Sequence, residues 1–155
     1  MTFNNYTQKS LEAVQSAQNI AVQHSNQQLE QIHLLLALLQ QDGGLTPQLL
    51  RKMGVNAESL EAAAKAEVRN LPTVTGSREA DRFYISAAVD ATFCTAEQQA
   101  QRMKDDFISV EHLLLALIEA AQGSVKNLFE TYRITKEGVL QALQGIRGSQ
   151  RVTTD

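Results

Sequence analysis

The sequence has no tryptophan, two prolines, eight glycines and a single cysteine in 155 residues. One cysteine, Cys94, excludes an internal disulfide and fits a reducing compartment. Scarce proline and glycine, beside abundant Ala, Leu and Gln, leave few interruptions and point to an all-helical fold. No excess of positive charge is present either: the net charge is −3, which gives no electrostatic reason to expect a nucleic-acid partner. The Leu-rich runs are too short to span a bilayer, so no membrane partner is expected. Met1 to Ser10 carry neither a basic start nor an apolar run, so no signal peptide is read there. A cytoplasmic location is the expectation. What the sequence does have is 43% apolar residues, enough for a globular core.

Those residues are arranged in a tandem repeat. Ile32-His33-Leu34-Leu35-Leu36-Ala37-Leu38-Leu39 recurs as Glu111-His112-Leu113-Leu114-Leu115-Ala116-Leu117-Ile118, with six consecutive identities at an offset of 79. Without a gap the same offset pairs Ala17 with Ala96, Gly44 with Gly123, Leu49 with Leu128 and Ala63 with Ala142. A duplication explains this. Both Leu-rich copies are apolar nearly all round, as suits helices buried on most sides. The rest of the chain should pack around them.

Taken in order, Thr7 is a suitable N-cap for the first helix, with Tyr6 and Leu11 at the spacing of a hydrophobic staple. Leu11, Val14, Ala17, Ala21 and Val22 follow at helical period, and Ser25-Asn26 breaks the helix. The second helix is expected over Leu29 to Gln40, stopped by Asp42-Gly43-Gly44. Thr46 then caps a third helix with Pro47 at its first position and Gly54 beyond its end. Asn56 caps a fourth, and Leu71-Pro72 closes the half. Residues 73 to 81 read as a linker. The second half repeats the pattern, with Ile85-Ser86 matching Tyr6-Thr7, and Ser109, Ser124 and Thr135 as caps. Arg133 stands where the first half has Gly54, so a turn of different geometry is expected there. The expectation is an all-α bundle of eight helices in two pseudo-twofold four-helix repeats: residues 1–72 and 82–148, with a linker from 149 to 155.

Chemistry is sparse. No phosphate-binding loop and no GxGxxG occur, which removes nucleotide hydrolysis by those routes. His33 and His112 have no second His or Cys at ligand spacing, so no metal site is read; both are helix-start residues with packing roles. Cys94 reads as a small core or half-buried side chain. Asp105-Asp106 reads as a solvated loop between helices. No catalytic residue emerges, and binding is what remains.

The stretch Phe3 to Ser10, the run Glu30 to Leu39 and Phe107-Ile108-Ser109-Val110-Glu111-His112-Leu113 resemble the Clp amino-terminal repeat domain of the ClpB/Hsp100 disaggregase family of AAA+ chaperones. Asn26 to Gln31, Leu71-Pro72 and Arg147 to Val152 strengthen the likeness; the last resembles the linker into that family's first ATPase module. The resemblance implies a substrate-binding domain that captures apolar segments of unfolded or aggregated polypeptides. It implies no cofactor in this chain, with ATP and magnesium in the parent protein. It also implies a hexamer formed through the absent ATPase modules, and cooperation with the DnaK system. The family's substrate-contact positions map to Thr7, Asp105 and Glu111, with Asp106 adjacent to the second and helix-capping roles open for Thr7 and Glu111. His112 departs from a leucine found after that glutamate in some members. Two repeats related by a twofold leave a seam, which can form an apolar groove. An adaptor-docking domain of a protease-linked Clp unfoldase (ClpC/ClpA-like) is the alternative. An enzyme using Asp105, Glu111 and His112, or a DNA-binding helix-turn-helix, would need perturbed carboxylates in one pocket or a charged recognition helix, respectively.

Overall fold

The computed structural model describes residues 3–74 and 84–147. The elements run α1 (Gln8–Gln23), β1 (Gln28–Leu29), α2 (Gln31–Gln40), α3 (Leu45–Lys52), α4 (Ala57–Arg69), β2 (Tyr84–Ile85), α5 (Ala87–Arg102), α6 (Val110–Ala120), α7 (Gly123–Thr131) and α8 (Lys136–Arg147). The two Leu-rich helices α2 and α6 form the centre. Every residue from Gln31 to Leu39 and from Val110 to Leu117 is buried. Both helices lie against helices of either half: α2 meets α1, α4, α6 and α7, and α6 meets α5, α3 and α8. An all-round apolar sequence has no polar face to turn to water, so it takes the middle position.

The halves are interleaved. β1 of the first half pairs in parallel with β2 of the second, Gln28 with Tyr84 and Leu29 with Ile85. The reciprocal contact is the parallel bridge of Tyr6 with Ile108. At the repeat offset these are the same contact made twice, so each half's entry strand is held by the other half. Backbone hydrogen bonds repeat likewise: Thr7 N–H donates to the Ile108 carbonyl at 2.9 Å, and Ser86 N–H to that of Leu29 at 3.0 Å. Leu29 is therefore strand, not the first residue of the second helix; α2 begins two residues later.

Several helix starts conform to the sequence. Thr7, Asn56 and Ser86 are N-caps whose side chains accept from Ser10, Ser59 and Val89 N–H. Two do not. The cap of α3 is Gly44 rather than Thr46, and that of α7 is Gln122 rather than Ser124. At position 44 a Cβ would lie 2.8 Å from the Gln41 Cβ and 2.9 Å from its carbonyl oxygen, so the tight exit from α2 requires glycine and starts α3 early. Pro47 still falls in the first turn, where a missing N–H costs no helical bond. On α1, Leu11 and Val22 are exposed rather than core, while Ala13 and Ile20 are buried with Val14, Ala17 and Ala21. Tyr6 packs edge-on against Phe3 and Phe93, with ring centroids 4.9 and 6.4 Å away.

The Arg133 turn does not differ from its mate. Arg133 adopts φ 56° and Gly54 φ 79°. Ile134 N–H reaches the Phe129 carbonyl and Val55 N–H that of Leu50, both at 2.8 Å. The left-handed conformation disfavours a residue with a Cβ by roughly 1–2 kcal/mol, which the surrounding packing of Ile134 and Phe129 overrides. The linker expected at 73–81 lies mostly outside the described residues, and that at 149–155 wholly so.

Candidate functional site

The parallel bridge at Tyr6–Ile108 brings two sequence-distant stretches to one place. Thr7 follows the bridge on one side, and Ser109 to His112 follow it on the other. Thr7 Oγ1 donates to Ser10 Oγ at 3.0 Å and accepts from Ser10 N–H at 3.2 Å, and Ser10 Oγ is 2.8 Å from the Ile108 carbonyl. The capping interaction of α1 is thus built into the strand that leads to α6.

On the other side lies a buried ionic cluster. His112 is the third residue of α6, and its Nδ1 accepts the Ser109 backbone N–H at 2.8 Å. The ring proton is therefore assigned to Nε2, which donates to Asp105 Oδ2 at 2.7 Å. Arg147, the last residue of α8, donates to Asp105 Oδ1 and lies 3.5 Å from Glu111 Oε2. Ser109 Oγ donates to Glu111 Oε1. The side chain of Asp105 is fully enclosed, and those of Glu111 and Arg147 are each only 10% exposed. Burial holds the His112 imidazole below its ordinary range, opposed by the hydrogen bond to Asp105. Both ring nitrogens are occupied within the domain. The imidazole is thus committed to the fold through both nitrogens.

The expectation of a solvated Asp105-Asp106 loop is half corrected. Asp106 is exposed, whereas Asp105 turns inward because Lys104, at φ 58°, reverses the chain and hands it to His112. Cys94 is exposed rather than core or half-buried: it sits on the outer face of α5, beside buried Phe93. The partner that sequence reasoning missed is Arg147. It appeared only as the start of a linker-like run, and nothing local tied it to positions 42 residues earlier.

The twofold-related place in the first half carries the same histidine. His33 Nδ1 accepts from the Glu30 N–H at 2.9 Å, and Nε2 donates to Asn26 Oδ1 at 2.8 Å. Burial, with a smaller contribution from His24, pushes its pKa down to about 4. Beside it, a seam cavity of ≈ 260 Å³ opens between the halves, with Ile32 and Leu71 from one and Ala88 and Val125 from the other among its lining. Gln31 closes its base, donating to the Thr92 hydroxyl and the Ala120 carbonyl and accepting from Gln122 N–H.

A reciprocal strand exchange between two copies of a four-helix unit, around paired Leu-rich helices, sets the terms for comparison with known proteins. The family described as Clp repeat (R) N-terminal domain matches residues 5–132. The chain belongs to this family. The chaperone protein ClpB of Bacillus cereus is 41% identical over 155 residues, 99% of this chain and 18% of the relative. This Clp repeat domain therefore spans about a fifth of the length of the curated relatives it matches. In fold it is similar to the Hsp104 N-terminal domain from Candida albicans (TM-score 0.82, 22% identity, 97% of each chain covered). It is likewise similar to the N-terminal domain of the caseinolytic protease associated chaperone ClpD from Arabidopsis thaliana (TM-score 0.71, 20% identity, 96% and 98% covered). No helix among the described residues of this Clp repeat domain is long and apolar enough to cross a membrane.

Proposed function

We propose that this chain is the substrate-binding amino-terminal domain of a ClpB-like protein disaggregase, capturing apolar segments of unfolded or aggregated polypeptides. The observation that carries the reading is the 41% identity to ClpB along 99% of the chain. Thr7, Asp105 and Glu111 are its substrate-binding determinants. Thr7 lies directly on the strand exchange of Tyr6 with Ile108, and Glu111 and Asp105 follow from it through the start of α6 and the bond to His112. Partner side chains would gain roughly 25 cal/mol per Å² of apolar surface buried, less the cost of ordering them. That balance favours weak, sequence-tolerant capture, which suits a polypeptide that must be passed on. ATP and magnesium act in the parent protein, with its hexameric ATPase modules, in cooperation with the DnaK system and in the cytoplasm.

A second reading is favoured by one observation. The fold is shared with the N-terminal domain of ClpD, a caseinolytic protease associated chaperone, so docking of a folded adaptor to a ClpC/ClpA-like unfoldase draws equal support from structure. An NMR titration with β-casein, an unfolded polypeptide, separates the two. Shifts clustered at Thr7, Ile108 and Glu111, weakened at least several-fold by Thr7→Ala and Glu111→Ala, support capture. No shifts at millimolar β-casein, with binding of a folded adaptor instead, would move the assignment to adaptor docking.

A further inference from the structure

The two acidic determinants have no idle oxygen. Asp105 Oδ2 takes the His112 Nε2–H at 2.7 Å, and Asp105 Oδ1 takes Arg147. Glu111 Oε1 takes the Ser109 hydroxyl, and Oε2 faces Arg147 at 3.5 Å. A ligand reaching either carboxylate must therefore displace something already there. His112 and Ser109 cannot move alone: both belong to the start of α6, and the Ser109 N–H to His112 Nδ1 bond locks them together. Arg147 is different. It arrives from the terminal residue of α8, whose preceding residues Gln144, Gly145 and Ile146 are exposed. The last turn of a helix has unsatisfied carbonyls and opens at little cost. The position is also not demanded by the fold, since the residues related by the repeat to Arg147, Glu111 and Asp105 are Val68, Ile32 and Asn26, none of them charged.

We infer that Arg147 is a latch: engagement of the Asp105 and Glu111 carboxylates by a bound polypeptide releases Arg147 and unwinds the last turn of α8. Occupancy of the site is thereby coupled to the point from which the chain beyond residue 147 departs. This rests on the proposal that Asp105 and Glu111 contact the captured polypeptide. It adds a direction for the signal, out of the site along α8.

The test is amide hydrogen exchange and NMR on the 155-residue chain, with and without β-casein, for the native sequence, Arg147→Lys and Arg147→Ala. In the native chain β-casein should accelerate exchange in the last turn of α8 at least tenfold while α2 is unchanged. In Arg147→Ala that turn should exchange fast without β-casein, the His112 titration should move upward for loss of the neighbouring cation, and β-casein should bind about tenfold tighter. Arg147→Lys, which keeps the charge and the fold but not the forked geometry, should fall between. If all three chains bind β-casein equally and the last turn of α8 stays protected, the latch is overturned while capture stands. If none binds, the capture reading falls and takes the coupling with it. If Arg147→Ala leaves both the exchange and the His112 titration unchanged, there is no latch whatever β-casein does.

Discussion

The two halves of this domain share a backbone and differ in how they fill one place. In both, a histidine at the third position of the central helix turns Nδ1 to a backbone N–H and Nε2 to the residue seven positions earlier. In both, that earlier residue follows a left-handed reversal, Ser25 at φ 55° and Lys104 at φ 58°. Around this shared frame the first half sets Asn26, Ile32 and Val68, and the second sets Asp105, Glu111 and Arg147. The frame is therefore built once without the buried carboxylate–guanidinium cluster. Buried ion pairs are often no more stabilising than apolar groups of similar volume, which is in keeping with the binding role proposed for Asp105 and Glu111.

That comparison can be broken most severely at Arg147. Arg147→Ala leaves two buried carboxylates facing each other without their cation and should cost about 3–5 kcal/mol in urea unfolding. Val68→Ala in the first half removes only apolar contacts and should cost less. A near-equal loss at the two positions would show that the charges are solvated.

The histidines sharpen it next. His33 stays neutral when folded down to about pH 4, whereas its unfolded value is 6.5. Above pH 6.5 neither state takes up the proton and stability is complete; between 6.5 and about 4 the unfolded chain binds a proton that the folded one refuses. Stability should therefore fall with pH through that window, by on the order of 3 kcal/mol from this residue. His112, with Asp105 opposing its burial, should give less. Urea midpoints at several pH values, with NMR titration of both rings, check the sign and the order.

Converting the second half to the chemistry of the first, with Asp105→Asn, Glu111→Ile and Arg147→Val together, should leave stability unchanged or raise it by about 1–2 kcal/mol. Binding of β-casein should weaken in the same variant. Strong destabilisation would mean that the halves are not interchangeable frames.

The smallest effect is expected at the paired turns. Gly54→Ala should destabilise by about 1 kcal/mol and Arg133→Gly should give a gain of similar or smaller size, since both positions are left-handed and only the second carries a Cβ. Opposite signs in thermal unfolding would confirm that one geometry serves both.

The sequence by itself determined the repeat, the helical class, the burial of both Leu-rich segments and the caps at Thr7, Asn56 and Ser86. Each follows from a periodicity or a side chain acting within four residues of itself, which the chain order preserves. The start of α3 was misread because a tight approach of Gly44 to Gln41 outweighs the capping chemistry of Thr46, and a close approach leaves no mark in sequence. The strand exchange, the inward turn of Asp105 and the reach of Arg147 were decided by tertiary structure alone. They join residues as far apart as Tyr6 and Ile108. Whether a carboxylate lies in water or against a guanidinium depends on which surfaces the core brings together, and only packing both copies around α2 and α6 settles that.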